Sequence, residues 1–239
     1  MQGFVSQKEL IELAEGLVCS FHGTPAPERV DVDGIAVKRL GLSVRYERFA
    51  TADPNCIGFT SDGETPLLVY RKKRTVEVTF PQDTIILEEY LRTQKERHTR
   101  RFTLAHEVGH ILQHRADPLC HAACFRRLYD SEASYSIEEL QQRMQWEESH
   151  ANAVAAALLI PYDSVSQLIY KLTKKKKITA YGDHVFAPET KVVLHEISER
   201  MGVSHTTLLI QLRKYKLICY RPIDEYIDKH LRGVDAIAQ

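Results

Sequence analysis

Apolar side chains recur at helical spacing over residues 4–17, and Ser6-Gln7-Lys8-Glu9 supplies a cap, which predicts an opening helix. A second helix is expected over 30–40, ended by Gly41. The chain then changes period. Residues 42–49 alternate as a strand does, and 57–60, 66–70 and 75–80 read as further short strands with Asp62-Gly63 as a turn signal. Residues 84–87 predict a last strand, while 88–95 are open to a helical reading. The helical period returns at Arg101, where Phe102, Leu104, Val108, Ile111 and Leu112 form a proline-free apolar stripe. A long alanine-rich helix follows, with Ser136 and Glu139 as a capping box ahead of it and Pro161 as its stop. Strands followed by two packed helices predict an α+β core with a small antiparallel or mixed sheet.

Past Pro161 the pattern is helical. Asp163 is placed to cap a helix over 165–172, and Lys174-Lys175-Lys176-Lys177 reads as a solvated linker. Two short helices meeting at Gly202, with Ser204 as the second cap, have the form of a helix-turn-helix. His205, Thr206, Gln211, Arg213 and Lys214 occupy the polar positions of the second helix. Leu194, Ile197, Met201, Leu208, Leu212 and Leu217 have the spacing of an inward stripe, which predicts that this unit docks on the core. The chain thus divides into residues 1–163 and a helical, helix-turn-helix-like region at 164–239.

With 239 residues and 44% hydrophobic content, the chain can bury a substantial core. Its formal net charge is zero, which gives the whole molecule no bias toward nucleic acid or anionic lipid. The exception is local: between residues 165 and 220, ten lysines and arginines face four acids, a patch suited to weak, salt-sensitive, sequence-independent contact with phosphates. The first residues lack a signal-peptide pattern and no apolar run reaches the roughly 20 residues of a membrane span, so a cytoplasmic protein without a membrane partner is expected. Five dispersed cysteines argue against a disulfide framework. The single Cys120-His121-Ala122-Ala123-Cys124 spacing lacks the second pair that structural zinc wants, so reduced thiols in an inserted loop are expected there.

Chemistry concentrates in His106-Glu107-Val108-Gly109-His110. Residues four apart on a helix project from one face, so two imidazoles can share a metal ion while Glu107 stands beside it as a base. Neutral imidazole suits zinc, and leaving such a group buried without a partner is costly. His114 continues the same face one turn on, but a regular helix carries it some 6 Å further along the axis, as a packing or supporting residue. A third ligand is expected from the alanine-rich helix. Glu147, Glu148 and His150 compete for that role, and Asn152 shares the face of Glu148.

Arg101 through His114, followed by E-S-H-A-N-A-V-A-A-A-L-L-I-P, resembles the ImmA/IrrE family of bacterial metallo-endopeptidases. Residues 30–44 are similar to that family's opening helix and first strand, whereas the stretch 117–136 has no counterpart. The resemblance implies a zincin-like peptidase with one zinc ion per chain, held by His106, His110 and Glu148, with Glu107 as the catalytic base. It also implies a protein substrate, a helix-turn-helix repressor of the Xre/Cro type, whose cleavage would release a stress-response or mobile-element programme. Tyr129, Tyr135 and Tyr162 are candidates for stabilising an oxyanion. The rival reading is a DNA-binding transcriptional regulator with a structural or vestigial zinc site.

Overall fold

The computed structural model describes residues 5–51, 56–116, 124–126 and 146–231, with the side chains of 124–126, 146 and 147 outside that description. The opening helix α1, Gln7–His22, begins where its cap predicts. Glu9 donates its backbone N–H to Ser6 Oγ at 3.3 Å, and Ser6 N–H donates to Glu9 Oε2 at 2.7 Å. Leu10, Ala14 and Val18 then give α1 one fully buried face. The second predicted helix is shorter than its pattern: α2 covers Val32–Gly34 and runs into a π-helical turn, Ile35–Arg39, before Gly41 ends it at φ 72°. The wide turn lets Ile35 and Ala36 stay buried while the chain swings into the first strand.

Strands β1 (Ser43–Glu47), β2 (Cys56–Ser61), β5 (Thr84–Glu88) and β6 (Cys124–Arg126) form one sheet in the order β1-β5-β2-β6. β1 runs parallel to β5, and β2 runs antiparallel to both of its neighbours. β3 (Leu67–Arg71) and β4 (Arg74–Val78) form a separate hairpin. Its turn places Lys72 and Lys73 at φ 49° and 64°, left-handed positions that no glycine signals. Cys56 on β2 is disulfide-bonded, whereas the dispersed cysteines argue against disulfides; Cys120 and the side chain of Cys124, where reduced thiols are expected, lie outside the described residues. Spacing along the chain cannot show that β6 folds back beside β2.

Helix α3, Arg97–Ala116, carries the histidine motif, and α4, Trp146–Leu159, carries the alanines. The expected capping box at Ser136 and Glu139 lies outside the described residues. An ideal Cβ on Gly109 would stand 2.9 Å from both Cα and O of Ala151. Only a glycine lets the two helix backbones approach this closely. Two short 3-10 turns, Glu89–Arg92 and Gln94–Glu96, join β5 to α3, so the ambiguous stretch is helical but irregular.

Helix α5 spans Tyr162–Thr173 and starts from Pro161, which makes no side-chain cap; Asp163 sits in the first turn rather than at the cap. There its charge faces the helix's positive end without bonding to it. Lys174 closes α5 in the left-handed region at φ 58°. α6 (Pro188–Met201) and α7 (His205–Lys214) meet at Gly202, and Ser204 Oγ accepts from Thr207 N at 3.1 Å. Two parallel strands, β7 (Ile178–Tyr181) and β8 (Ile218–Arg221), bracket this pair, and α8 (Ile223–His230) follows. The periodicity marks none of these three elements. The six residues of the predicted inward stripe are all buried. Thr206 and Gln211, expected on the polar face of α7, are also buried, at 5% and 4% exposure. Apolar side chains from both sides of residue 163 belong to one core cluster, which runs from Leu10 through Val108 and Leu158 to Leu212. Among the described residues, no single helix is long and apolar enough to cross a membrane.

Arg101 fastens the motif helix to the turn between α6 and α7. It is 7% exposed and donates to Gly202 O at 3.1 Å and to Val30 O at 3.0 Å. Gly202 sits at φ 68°, and an added Cβ would meet Arg29 Nε at 2.9 Å and Arg101 Nε at 3.0 Å. Gly202→Ala is therefore expected to lower unfolding stability by about 1–2 kcal/mol, from the left-handed backbone alone, with any displacement of Arg101 adding to it. Denaturant titration of the two proteins checks this, and equal midpoints would refute it.

Candidate metal centre

His106 and His110 lie one turn apart on α3 with ring centroids 4.6 Å apart. Both are buried, at 0% and 4% exposure. Their Nε2 atoms are 2.9 Å apart. Glu148 comes across from α4, its Oε2 3.2 Å from His106 Nε2 and its Oε1 3.6 Å from His110 Nε2. Ligands held about 2.0–2.1 Å from a tetrahedral ion stand about 3.3 Å from one another, and the observed separations bracket that value. Among the described residues, the cluster of ligand atoms suited to a metal consists of these three side chains. His114 and His150 are not in it, and the Glu147 side chain lies outside the described ones. Of the competitors whose side chains are described, Glu148 and His150, it is Glu148 that lies with the histidines.

The surroundings set the chemistry of each group. Asn152 Nδ2 donates to Glu148 O at 2.8 Å, which turns its Oδ1 toward His106 Nδ1 at 3.2 Å. An Nδ1–H donated there leaves the Nε2 lone pair of His106 for a cation. Glu107, fully buried, accepts the Thr60 hydroxyl on Oε2 at 2.6 Å. Its Oε1 is buried and has no hydrogen-bond partner among the described residues. Burial pushes this carboxyl well above the usual range, the Thr60 bond opposes that, and the nearby Glu148 adds to it. A buried donor set of two imidazoles and a carboxylate, beside an orphaned carboxylate oxygen, fits a divalent metal of the zinc type.

Comparison with known proteins agrees with this geometry. The family model Peptidase_M78, described as the IrrE N-terminal-like domain, matches residues 37–213. The chain belongs to this family. Its small sheets and several helices form an α+β arrangement consistent with an IrrE-like zincin-type domain. The match extends from the π-helical turn to the end of α7, across both helices of the centre. Among solved structures, a Mycobacterium tuberculosis transcriptional regulator is similar at 15% identity with a TM-score of 0.41, covering 86% of this chain. This chain spans 46% of that regulator's length. None of the curated proteins compared matches the chain.

Two residues of this Peptidase_M78 centre escape a reading of the motif. Thr60 and Gly58 lie on β2, which the sequence marks only as a short strand, and their approach to Glu107 depends on how the sheet packs on α3. Of the candidate oxyanion donors, Tyr129 and Tyr135 lie outside the described residues. Tyr162 sits at the start of α5, its ring edge-on to Tyr215 at 5.2 Å, in a cleft lined by Glu15, Cys19 and Asp163. That cleft contains none of the three metal-cluster residues.

Burial lowers both His106 and His110 to about 3, His106 against the opposing Asn152 bond. Both side chains regain an ordinary value near 6.5 on unfolding. Between about pH 6.5 and 3 the unfolded chain therefore binds protons that the metal-free folded chain refuses, so folded stability is full above this window and falls as pH drops through it. The slope approaches about 1.4 kcal/mol per pH unit for each histidine. Glu107, raised by burial, opposes this because in the same window the fold keeps a proton that the unfolded chain releases. Urea midpoints of the metal-free protein should therefore fall from about pH 6 to about pH 5 by less than two histidines alone would give, and His110→Asn should flatten that slope. An unchanged slope in His110→Asn would contradict the buried neutral state.

Proposed function

We propose that this Peptidase_M78 chain is a zinc-dependent endopeptidase that cleaves a helix-turn-helix repressor of the Xre/Cro type and so lifts repression. The observation that carries the peptidase reading is the convergence of His106, His110 and Glu148 beside a buried carboxylate, Glu107, with one oxygen left over. The substrate class rests on the resemblance of the motif region to ImmA/IrrE enzymes. His106, His110 and Glu148 would hold the ion, one per chain. When bound, zinc supplies Lewis acidity that activates water and polarises a carbonyl.

The chain's own residues do the rest. Glu107 takes the proton from the attacking water and returns it to the leaving amide nitrogen, a transfer for which a carboxyl raised by burial is suited. Asn152 holds His106 in the tautomer that presents Nε2. The basic helical region gives the protein at most weak, salt-sensitive contact with nucleic acid, because two of the five polar residues expected to face outward from α7 are buried.

After zinc supplementation, the purified protein should carry about one equivalent of zinc; less than about a tenth of an equivalent by elemental analysis would sink the reading. Glu148→Ala should lose most of that metal. Glu107→Gln should keep it while cleavage of an Xre/Cro-type repressor substrate, followed by mass spectrometry, drops by roughly 10²–10⁴-fold. Near wild-type cleavage by Glu107→Gln would show that another group moves the proton.

A further inference from the structure

The two oxygens of the Glu107 carboxylate are not equivalent, and the cause lies on β2. Thr60 pairs with Ile85 of β5 in the centre of the sheet, which fixes its position against α3. Thr60 is 5% exposed, and its hydroxyl donates to Glu107 Oε2 at 2.6 Å. That length belongs to the short range of a hydroxyl bound to a carboxylate. The backbone carbonyl of Glu107 lies further away, at 3.4 Å, and a hydroxyl has one hydrogen to give. Two residues earlier, Gly58 lies against the same carboxylate. A Cβ there would stand 2.5 Å from Glu107 Oε1 and 2.7 Å from Thr103 Cγ2. The strand thus grips one oxygen with a hydroxyl and leaves room for the other by carrying no side chain.

We propose that Thr60 is a positioning residue that anchors Glu107 through Oε2 and thereby dedicates Oε1 to proton transfer, with Gly58 providing the space in which Oε1 stands. The inference rests on the peptidase reading above and adds to it a specific strand residue and a specific oxygen. A carboxylate free to rotate would present its proton-accepting lone pair in many directions. Thr60 removes that freedom before substrate arrives, which is the form that preorganisation takes in a general base.

Thr60→Val keeps the shape of the side chain and removes the hydroxyl, whereas Thr60→Ser restores it. Repressor cleavage by Thr60→Val should lose about 10- to 100-fold in kcat with KM and zinc content unchanged, and Thr60→Ser should recover to within about threefold of the parent. A readout without turnover accompanies this. In the zinc-free protein, the losses in Tm of Thr60→Val and Glu107→Leu should be non-additive, because each removes the same bond. Additive losses, or Thr60→Val cleaving at the parental rate, would overturn the assignment. An inactive parent protein that still shows the coupling would refute the peptidase reading and leave the Thr60 contact standing.

Discussion

The metal-centre geometry depends first on the contact between the backbones of α3 and α4 at Gly109 and Ala151. The histidines and Glu148 sit on different helices, separated in the chain by the segment around β6, and a side chain in between would keep them apart. Gly109 stands between the two histidines, so the turn of α3 that presents both imidazoles is also the turn against which α4 rests. Ala151 is three residues after Glu148 and one before Asn152, which puts a ligand and its supporting amide on either side of the same contact. Even one methyl group on residue 109 would overlap the Ala151 backbone at 2.9 Å. Alanines along α4 keep that approach open over its length: Ala151, Ala155 and Ala157 are fully buried.

From that contact follows an electrostatic problem. Two imidazoles and the carboxyls of Glu107 and Glu148 share a site with little water, and burying charge without a partner is unfavourable by several kcal/mol. The protein meets this in part by neutralising: burial holds both histidines uncharged and favours the protonated form of Glu107. Hydrogen bonds from Asn152 to Glu148 O, between His106 and Asn152, and from Thr60 to Glu107 then orient His106 and Glu107. A divalent cation is the natural complement to a set of ligand atoms already spaced for one.

Local features of this arrangement are legible in the sequence because they are written within one or two turns of chain. The histidine pair, the Ser6–Glu9 cap, the Gly202–Ser204 junction and the inward stripe from Leu194 to Leu217 depend only on helical geometry. The i, i+4 relation between Glu148 and Asn152 belongs with them. Choosing Glu148 over Glu147 and His150 required the family resemblance, since on a helix next to a metal any of the three could rotate inward until the packing at Ala151 sets the face. What stayed hidden is what distant segments decide together. β7 and β8 are short parallel strands separated by two helices, so neither has the alternation or the turn that announces a hairpin. Lys72 and Lys73 adopt left-handed turn positions with no glycine or asparagine to mark them. The role of Thr60 became visible only once β2 was laid against α3.

The helical region after Pro161 is held to the motif helix α3 by charge as well as by the common core. Arg97 pairs with Glu199 at 2.6 Å, and Arg101 is buried among the carbonyls of Val30, Met201 and Gly202. Burial brings the Arg101 guanidinium down to about 10, which still leaves it charged at neutral pH. A buried charge whose donors are satisfied by backbone carbonyls fixes geometry more than it adds stability. Tyr215, at the end of α7, donates to Ile160 O at 3.0 Å, where α4 finishes. The α6–α7 pair therefore holds both helices of the metal centre, α3 at its start and α4 at its end. The family match that continues to residue 213 has a physical counterpart in these contacts: the helices beyond the motif brace the centre, and the site depends on both halves of the chain.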